Sequence, residues 1–391
     1  MFSALSPLAD NFIHGIISRY NADPRPEKMD LGVGVFRTPE GKSPVMDAIA
    51  KAEATLLRLQ TSKSYLSMRG HPQFLEAMSH LVFGNKSTNQ LIASIQTVGG
   101  TGGLRLALQL ALLANPDVKL LIGTPTWPIY FSICKSLGID VFDFKYFDQP
   151  SQTLLFENMQ RAVTKASPGD LLLLQGPCHN PTGEDLTDDQ LTDILQLADL
   201  HGISPLVDAA YYGWGQSLDA DLKRVAKIFF SSPNAMLVMS CSKAFSLYRE
   251  RVGLLFVATP DRSTTNIVQA NIMGIARNLY SMPPAHGAAA VAQVLGDEAF
   301  VASWRMELDG MNRRIKDVRR ELAVFGASIP ALSAIDRQIG IFSLLPISST
   351  TTATLAKDHA IYLTARGRIN VAGLKTGHAK RFCDALACID Q

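Results

Sequence analysis

The chain has 391 residues, of which 47% are hydrophobic and 18% charged, so two domains, or one large domain with an appendage, and a sizeable core are expected. Basic and acidic residues number 37 and 35, with no block of like charge, which argues against nucleic acid or an anionic membrane as a partner. The five cysteines include no Cys-x-x-Cys pair, and the N-terminus has no basic segment followed by an apolar one. We therefore expect a soluble cytoplasmic protein with reduced thiols.

Between about residues 46 and 258, short apolar runs alternate with longer amphipathic segments. Runs such as residues 171–174 are too short to span a bilayer and have the length of buried parallel strands. The alternation predicts an α/β fold with a mainly parallel sheet covered by helices on both faces. The seven predicted strands are residues 92–97, 120–123, 140–144, 171–175, 204–208, 236–240 and 254–258. Helices are predicted at residues 103–114, 128–137, 186–200 and 219–229.

After residue 298 the pattern changes to a long charged amphipathic segment, residues 300–325, followed by shorter apolar and helical segments. This predicts a smaller α/β domain, with which the N-terminal segment packs. The expected division is an N-terminal arm and part of the small domain at residues 1–45, a large domain at 46–309 and the rest of the small domain at 310–391.

Lys243 is the most informative single residue, because it follows the apolar run 235–239 and is flanked by serines. A lysine at a strand end in a partly apolar cleft has a lowered pKa, and its neutral amine can form an imine with an aldehyde. Ser240 and Arg251 add a hydroxyl and a guanidinium, which suit phosphate. An aldehyde and a phosphate on one small molecule suggest pyridoxal phosphate.

Other polar residues also follow predicted strands. The glycine-rich segment around Gly100 and Thr101 follows a strand and opens a helix, where backbone amides favour phosphate. Trp127 offers a flat face for stacking. Asn180, in the turn His-Asn-Pro-Thr-Gly, can donate inward.

Asp208 ends the strand 204–208 and needs a cationic partner if it is buried. The protonated ring nitrogen of a pyridine cofactor would be such a partner, and Tyr211 could bond the ring's phenolic oxygen. Arg368 and Arg277 could each hold a carboxylate. Taken singly, each of these residues has an ordinary explanation: a tight turn, a core tryptophan, a helix cap or a surface charge.

Taken together and in this order, the motifs resemble the class I aminotransferases of fold type I, in the aspartate and aromatic-amino-acid subgroup. The resemblance covers nearly the whole chain, from Leu-Gly-Val-Gly-Val-Phe-Arg at residues 31–37 to residues 368–373, with His-Asn-Pro-Thr-Gly intact. It implies a seven-stranded, mainly parallel sheet in a large domain that binds pyridoxal 5′-phosphate. It also implies transfer of an amino group between amino acids and 2-oxo acids by a ping-pong mechanism.

The resemblance further implies a role for each matched residue. Lys243 would bind the cofactor and move the substrate proton, and Arg368 would take the α-carboxylate with the backbone near Gly34 closing over it. The partner subunit's Tyr65 and Arg277 would complete each site of a homodimer. The remaining implied contacts are Asp208 with the ring nitrogen, Tyr211 and Asn180 with the ring oxygen, Trp127 on the ring face, and Gly100, Thr101, Ser240 and Arg251 with the phosphate. Trp127 and Asn180 also border the substrate.

The chain departs from the family pattern at three positions near these residues. Ile129 and Tyr130 stand where the family usually has Asn and His, so Tyr130 must support Asp208 with a phenol or the support is missing. Met282 replaces a frequent Asn before the paired prolines, which favours substrates with apolar side chains. We expect aspartate, an aromatic amino acid, or both as substrates beside 2-oxoglutarate. A lyase or decarboxylase, or a non-catalytic binding protein on the same scaffold, remains as an alternative.

Overall fold

The computed structural model describes residues 12–88 and 91–389, together with Phe2. Its strands are β1 (Met29–Asp30), β2 (Ile92–Val98), β3 (Lys119–Thr124), β4 (Asp140–Lys145), β5 (Phe147–Asp148), β6 (Thr153–Leu154), β7 (Leu171–Gln175), β8 (Ser204–Ala209), β9 (Met236–Ser240), β10 (Val252–Ala258), β11 (Phe342–Leu344), β12 (Ile361–Tyr362) and β13 (Arg368–Asn370). Its α-helices are α1 (Phe12–Ala22), α2 (Asp47–Leu59), α3 (Pro72–Phe83), α4 (Gly99–Ala114), α5 (Ile129–Leu137), α6 (Phe156–Lys165), α7 (Asp188–Leu200), α8 (Leu218–Phe229), α9 (Cys241–Ala244), α10 (Arg262–Tyr280), α11 (His286–Leu295), α12 (Glu298–Phe325), α13 (Ser349–His359) and α14 (His378–Ile389).

The main sheet has seven strands in the order β2-β10-β9-β8-β7-β3-β4. Strand β10 runs antiparallel to both of its neighbours, and the other pairings are parallel. The α/β fold with a mainly parallel seven-stranded sheet is therefore confirmed. Because β10 is reversed, its first residue lies at the same edge of the sheet as the last residues of β2 and β9.

The leucines of β7 show why the strands are continuous apolar runs. Leu171 and Leu173 belong to the core cluster that includes residues of α4, α5 and α10, while Leu172 and Leu174 belong to the cluster on the opposite face. Each of the four is at most 6% exposed. Burial of one leucine side chain stabilises the folded protein by roughly 1.5–3 kcal/mol. A strand that is covered by helices on both faces is therefore apolar at every position and not only at alternate ones.

Helix α4 begins earlier than the sequence predicts, at Gly99 instead of residue 103. The glycine-rich segment is therefore the first turn of the helix and not a loop before it. Gly99 has a positive φ of 64° and its N–H donates to the carbonyl of Arg251, so the chain turns sharply from β2 into the helix beside β10. Glycine adopts this backbone conformation without the steric cost that a Cβ would add.

The rest of the structure contains smaller sheets and one long helix. Strand β1 pairs in parallel with β12, and β11 pairs antiparallel with β13, so the N-terminal and C-terminal segments meet. Helix α12 has 28 residues and is about 42 Å long at 1.5 Å per residue. The domain boundaries expected from the sequence remain a prediction. None of the helices in the described ranges is long and apolar enough to cross a membrane.

Candidate active site

A cavity lies at the edge of the main sheet where the parallel strands end. This is the edge at which sheets of this type bind ligands. The cavity brings together ten residues singled out from the sequence, namely Gly100, Thr101, Trp127, Tyr130, Asn180, Asp208, Tyr211, Ser240, Lys243 and Arg251. Its remaining lining residues are Gln175, Pro177, Ala210 and Ser242.

Lys243 lies in α9, directly after β9. Its Nζ is 5.3 Å from the ring centre of Tyr211 and 5.7 Å from that of Tyr248. The pKa of Lys243 is lowered to about 8, mainly by burial, with the negative charge of Asp208 opposing the shift and the positive charge of Arg251 adding to it. At pH 7 roughly a tenth of such a lysine is neutral, and the neutral amine is the nucleophilic form.

Asp208 lies near the end of β8 and is 7% exposed. The phenol of Tyr130 donates a hydrogen bond of 2.7 Å to its Oδ2. Burial raises the pKa of Asp208 to about 6, although the Tyr130 hydrogen bond and the charge of Lys243 both lower it. The departure at position 130 therefore preserves a donor to this carboxylate.

Hydroxyl, guanidinium and backbone groups lie together at the Ser240 side of the cavity. Ser240 Oγ donates to Ser242 Oγ at 3.0 Å, and Arg251 Nη1 donates to the same Ser242 oxygen at 3.3 Å. Gly100 and Thr101 stand in the first turn of α4, where backbone N–H groups have no partner within the helix. A Cβ on Gly99 would overlap the guanidinium of Arg251. This arrangement suits a phosphate or another anion.

The charges in the cavity are not neutralised by ion pairs. None of the salt bridges formed by the described residues involves Asp208, Lys243 or Arg251. Charges that are held largely away from water with no opposite charge beside them are costly, so these groups are suited to a ligand that supplies a cation near Asp208 and an anion near Arg251.

Arg368 borders the site through Asn180. Its Nη1 donates to Asn180 Oδ1 at 3.2 Å, and its Nη2 donates to the carbonyl of Gly32 at 2.8 Å. The Cζ atom lies 4.4 Å from the ring centre of Phe342. Burial lowers the pKa of Arg368. Within the described ranges its Nε has no hydrogen-bond partner, so the guanidinium retains a donor for a carboxylate.

Gly34 also lies against Phe342. A Cβ at this position would be only 2.6 Å from the Cζ atom of Phe342, so a glycine allows the loop to approach the ring. The side chain of Asn370 holds this loop by donating to the carbonyls of Val33 and Val35 at 2.7 and 2.8 Å. The loop of Gly34 is thus close to Arg368, whose guanidinium donates to the carbonyl of Gly32; that this loop closes over a substrate carboxylate stays a prediction.

Tyr65 and Arg277 do not line the cavity. Tyr65 is 93% exposed, and Arg277 is exposed in the last turn of α10. Met282 and Ile129 are half-buried. The structure of one chain thus leaves Tyr65 and Arg277 on its surface.

Two residues of the site region, Tyr248 and Gln175, were not predicted from the sequence. Tyr248 faces the amine, and its phenol oxygen accepts the N–H of Phe36 at 3.0 Å, so it joins the lysine segment to the loop of Gly34. Gln175 holds the Asn180 turn, since its Oε1 accepts the N–H of Asn180 at 2.8 Å. Its position as the polar last residue of the predicted strand 171–175 could have indicated this role.

Comparisons with known proteins agree with this geometry. A family model described as aminotransferase class I and II matches residues 26–386. The tyrosine aminotransferase of Rhizobium meliloti is 41% identical over 381 residues, which cover 97% of each protein. The aspartate aminotransferase of Escherichia coli is 34% identical over 397 residues, which cover 100% of each. The solved structure of an aromatic-amino-acid aminotransferase from Burkholderia pseudomallei, covalently bound to pyridoxal phosphate, has a TM-score of 0.96 and 32% identity and covers 100% of both chains.

Proposed function

The chain belongs to the class I and II aminotransferase family and is an aminotransferase, and we propose that it exchanges amino groups between aspartate or aromatic amino acids and 2-oxoglutarate, with pyridoxal 5′-phosphate as its cofactor. The observation that carries the proposal is the arrangement of Asp208, Lys243 and Arg251 around one cavity. The two substrate classes are supported by the similarity to a tyrosine aminotransferase and to an aspartate aminotransferase.

The cavity residues fit this cofactor. Arg251 and Ser240, with the first turn of α4, would hold the phosphate, and Asp208 would face the ring nitrogen. Trp127 would lie against the ring, and Asn180 and Tyr211 would bond its phenolic oxygen. When bound, the pyridine ring withdraws electrons from the substrate and makes its Cα proton acidic.

The protein contributes the acid–base groups and the orientation. The Nζ of Lys243, with its pKa lowered to about 8, would take the proton from the substrate Cα and deliver it to C4′ of the cofactor. The carboxylate of Asp208 must stay charged to keep the ring nitrogen protonated, and the Tyr130 hydrogen bond favours that charged form. Arg368 binds the substrate α-carboxylate and thereby orients the Cα bonds.

The substrate pocket is proposed to accept both an acidic and an aromatic side chain. The partner subunit's Arg277 would pair with the second carboxylate of aspartate or 2-oxoglutarate, because a guanidinium that the dimer buries without a partner is costly. Met282 and Ile129 would make the mouth of the pocket more apolar and so tolerate an aromatic ring.

A homodimer is part of this proposal. Near Tyr65, helix α2 ends with Leu57 and Leu59, which are 87% and 68% exposed. Exposed apolar side chains of this size are typical of a surface that a second subunit covers.

The five cysteines are free, which supports the expected cytoplasmic location.

The test is a single half-reaction without 2-oxoglutarate. The protein loaded with pyridoxal phosphate is mixed with aspartate or with phenylalanine, and the 2-oxo acid formed per site is measured. We expect close to one equivalent from each amino acid and none from the matched Lys243→Ala variant. Conversion of aspartate alone would restrict the substrate class, and conversion of neither would contradict the proposal.

A further inference from the structure

We propose that Trp304, in helix α12, is a positioning residue for Lys243. Its indole ring and N–H group fix the short helix α9 that carries the lysine. The inference concerns the role of Lys243 and so rests on the proposed function, but the contacts it uses lie outside the cavity.

Trp304 contacts both of the residues that follow Lys243. Its Nε1 donates a hydrogen bond of 2.8 Å to the carbonyl of Ala244. Its ring stacks on Phe245 with the ring centres 4.5 Å apart and the planes inclined by only 3°. Trp304, Ala244 and Phe245 are all 0% exposed. The lysine therefore projects from a backbone segment whose C-terminal side is fixed by the contacts of Trp304 with Ala244 and Phe245.

Helix α9 needs such support, because it has only four residues. A single helical turn is not stable alone, and the last carbonyls of a helix have no partner within it. The chain leaves the turn at Ser246, which has a positive φ of 53°. The indole N–H of Trp304 supplies the missing donor for Ala244.

Helix α12 provides a fixed support for Trp304. One turn further along, Glu307 accepts the N–H groups of Asp47 and Ala48 at 2.8 and 3.1 Å and so holds the start of α2. Asn312 donates to the carbonyl of Gly215 at 3.2 Å. Because α12 is anchored along its length, the indole holds the Lys243 turn against a rigid element.

The test compares Trp304→Phe with Trp214→Phe. Trp304→Phe keeps an aromatic ring against Phe245 but removes the N–H donor. Trp214 is also fully buried, and within the described ranges its indole N–H has no hydrogen-bond partner, so Trp214→Phe loses a similar volume and no hydrogen bond. Both variants are expected to lower Tm.

Two measurements separate positioning from packing. The first is amide hydrogen exchange of residues 241–248. The second is the rate at which the apo protein attaches pyridoxal phosphate at Lys243; the amine and the aldehyde join with loss of water, borohydride reduces the new carbon–nitrogen double bond, and mass spectrometry counts the product. We expect Trp304→Phe to speed exchange about fivefold or more and to slow attachment, with Trp214→Phe within about twofold of the wild type in both.

Equal changes in the two variants would overturn the proposal and leave Trp304 as core packing. If Trp304→Phe does not fold, Phe245→Leu replaces it, since it removes the stacked ring and keeps the indole hydrogen bond, and it must also speed exchange in residues 241–248. A wild-type protein that attaches no pyridoxal phosphate would contradict the proposed function, while the exchange measurement would still test the hold of Trp304 on α9.

Discussion

The phenol of Tyr130 donates a hydrogen bond of 2.7 Å to Oδ2 of Asp208. The same ring meets Trp127 edge-on, with ring centres 5.6 Å apart. Tyr130 thus contacts both the carboxylate proposed to face the pyridine nitrogen and the indole proposed to lie on the pyridine ring. Burial raises the pKa of Tyr130 well above its usual value, so the phenol stays neutral and acts only as a hydrogen-bond donor to the charged Asp208.

Replacing Tyr130 with phenylalanine is expected to weaken binding of pyridoxal phosphate. Without the phenol the pKa of Asp208 rises above about 6, and the carboxyl is protonated in more of the apo protein at pH 7. A rise of one unit, to about the pH of the measurement, lowers the affinity about twofold, and each further unit lowers it up to about tenfold, because one pKa unit corresponds to 1.36 kcal/mol. The dissociation constant, measured by cofactor titration at pH 7, checks the expectation. Tyr130→His is the matched variant, since it restores a donor and should recover most of the affinity.

The stability gained from the cofactor is expected to depend on pH through Asp208. Its pKa of about 6 in the folded protein exceeds the ordinary value of 3.8, so its contribution to apo stability is present below about pH 4 and is lost as the pH rises through 6. A cation on the cofactor pairs with the carboxylate formed above that pH. The rise in Tm on adding pyridoxal phosphate should therefore be larger at pH 7.5 than at pH 5. In Asp208→Asn this pH dependence should shrink, and an unchanged dependence would argue against Asp208 as its source.

The strands of the main sheet could be predicted to within two residues at each end. The reason is physical: a strand covered on both faces must be a continuous apolar run, as Leu171 to Leu174 show. The polar residues that end these runs were found for the same reason, since the ends of parallel strands meet at one edge.

Contacts between distant parts of the chain could not be predicted in this way. The amphipathic pattern of α12 indicates that Trp304 is buried, but not that it reaches Ala244, which lies 60 residues away. The hydrogen bond from Arg368 to Asn180 spans 188 residues. Such pairings are set by how the helices pack on the sheet, and the spacing of apolar residues carries no information about them.

Arg251→Lys is expected to separate recognition of the phosphate from recognition of the ring. A lysine keeps the charge but loses the fork of guanidinium donors that suits phosphate. We expect the affinity for pyridoxal phosphate to fall about tenfold or more and the affinity for pyridoxal, which has no phosphate, to stay the same. Arg305→Lys, at an exposed ion pair with Asp219, serves as the control. Equal losses for the two ligands would mean that Arg251 acts on the fold and not on the phosphate.

Shared sites in a homodimer predict complementation between two inactive chains. If the partner subunit's Arg277 completes each site, a hybrid of Lys243→Ala and Arg277→Ala chains contains one intact site. Random co-assembly should then restore about a quarter of the wild-type aspartate activity. A mixture of Lys243→Ala and Asp208→Ala should restore none. Both residues line the cavity of their own chain, so each chain of the hybrid lacks one residue of its own site. No recovery in the first mixture would contradict the shared site.

Arg319 is expected to hold the Phe342 strand beside Arg368. This buried guanidinium makes six hydrogen bonds, which go to the carbonyls of Ile335, Ile339, Gly340 and Phe342 and to the hydroxyl of Ser343. Burial lowers its pKa to about 10, so it stays charged at neutral pH. Arg319→Lys leaves several carbonyls without a donor and should lower the free energy of unfolding by about 3 kcal/mol.

The same variant should raise the KM for the amino acid several-fold while the affinity for pyridoxal phosphate changes little. The reason is that the Phe342 ring packs 4.4 Å from the Cζ of Arg368, and Phe342 lies outside the group of residues that line the cofactor cavity. Arg320→Lys, one residue further along α12 at an exposed pair with Asp317, should cost less than about 0.5 kcal/mol. Urea unfolding and steady-state kinetics measure the two effects. A loss of cofactor affinity equal to the rise in KM would show that Arg319 supports the whole site and not the Arg368 side of it.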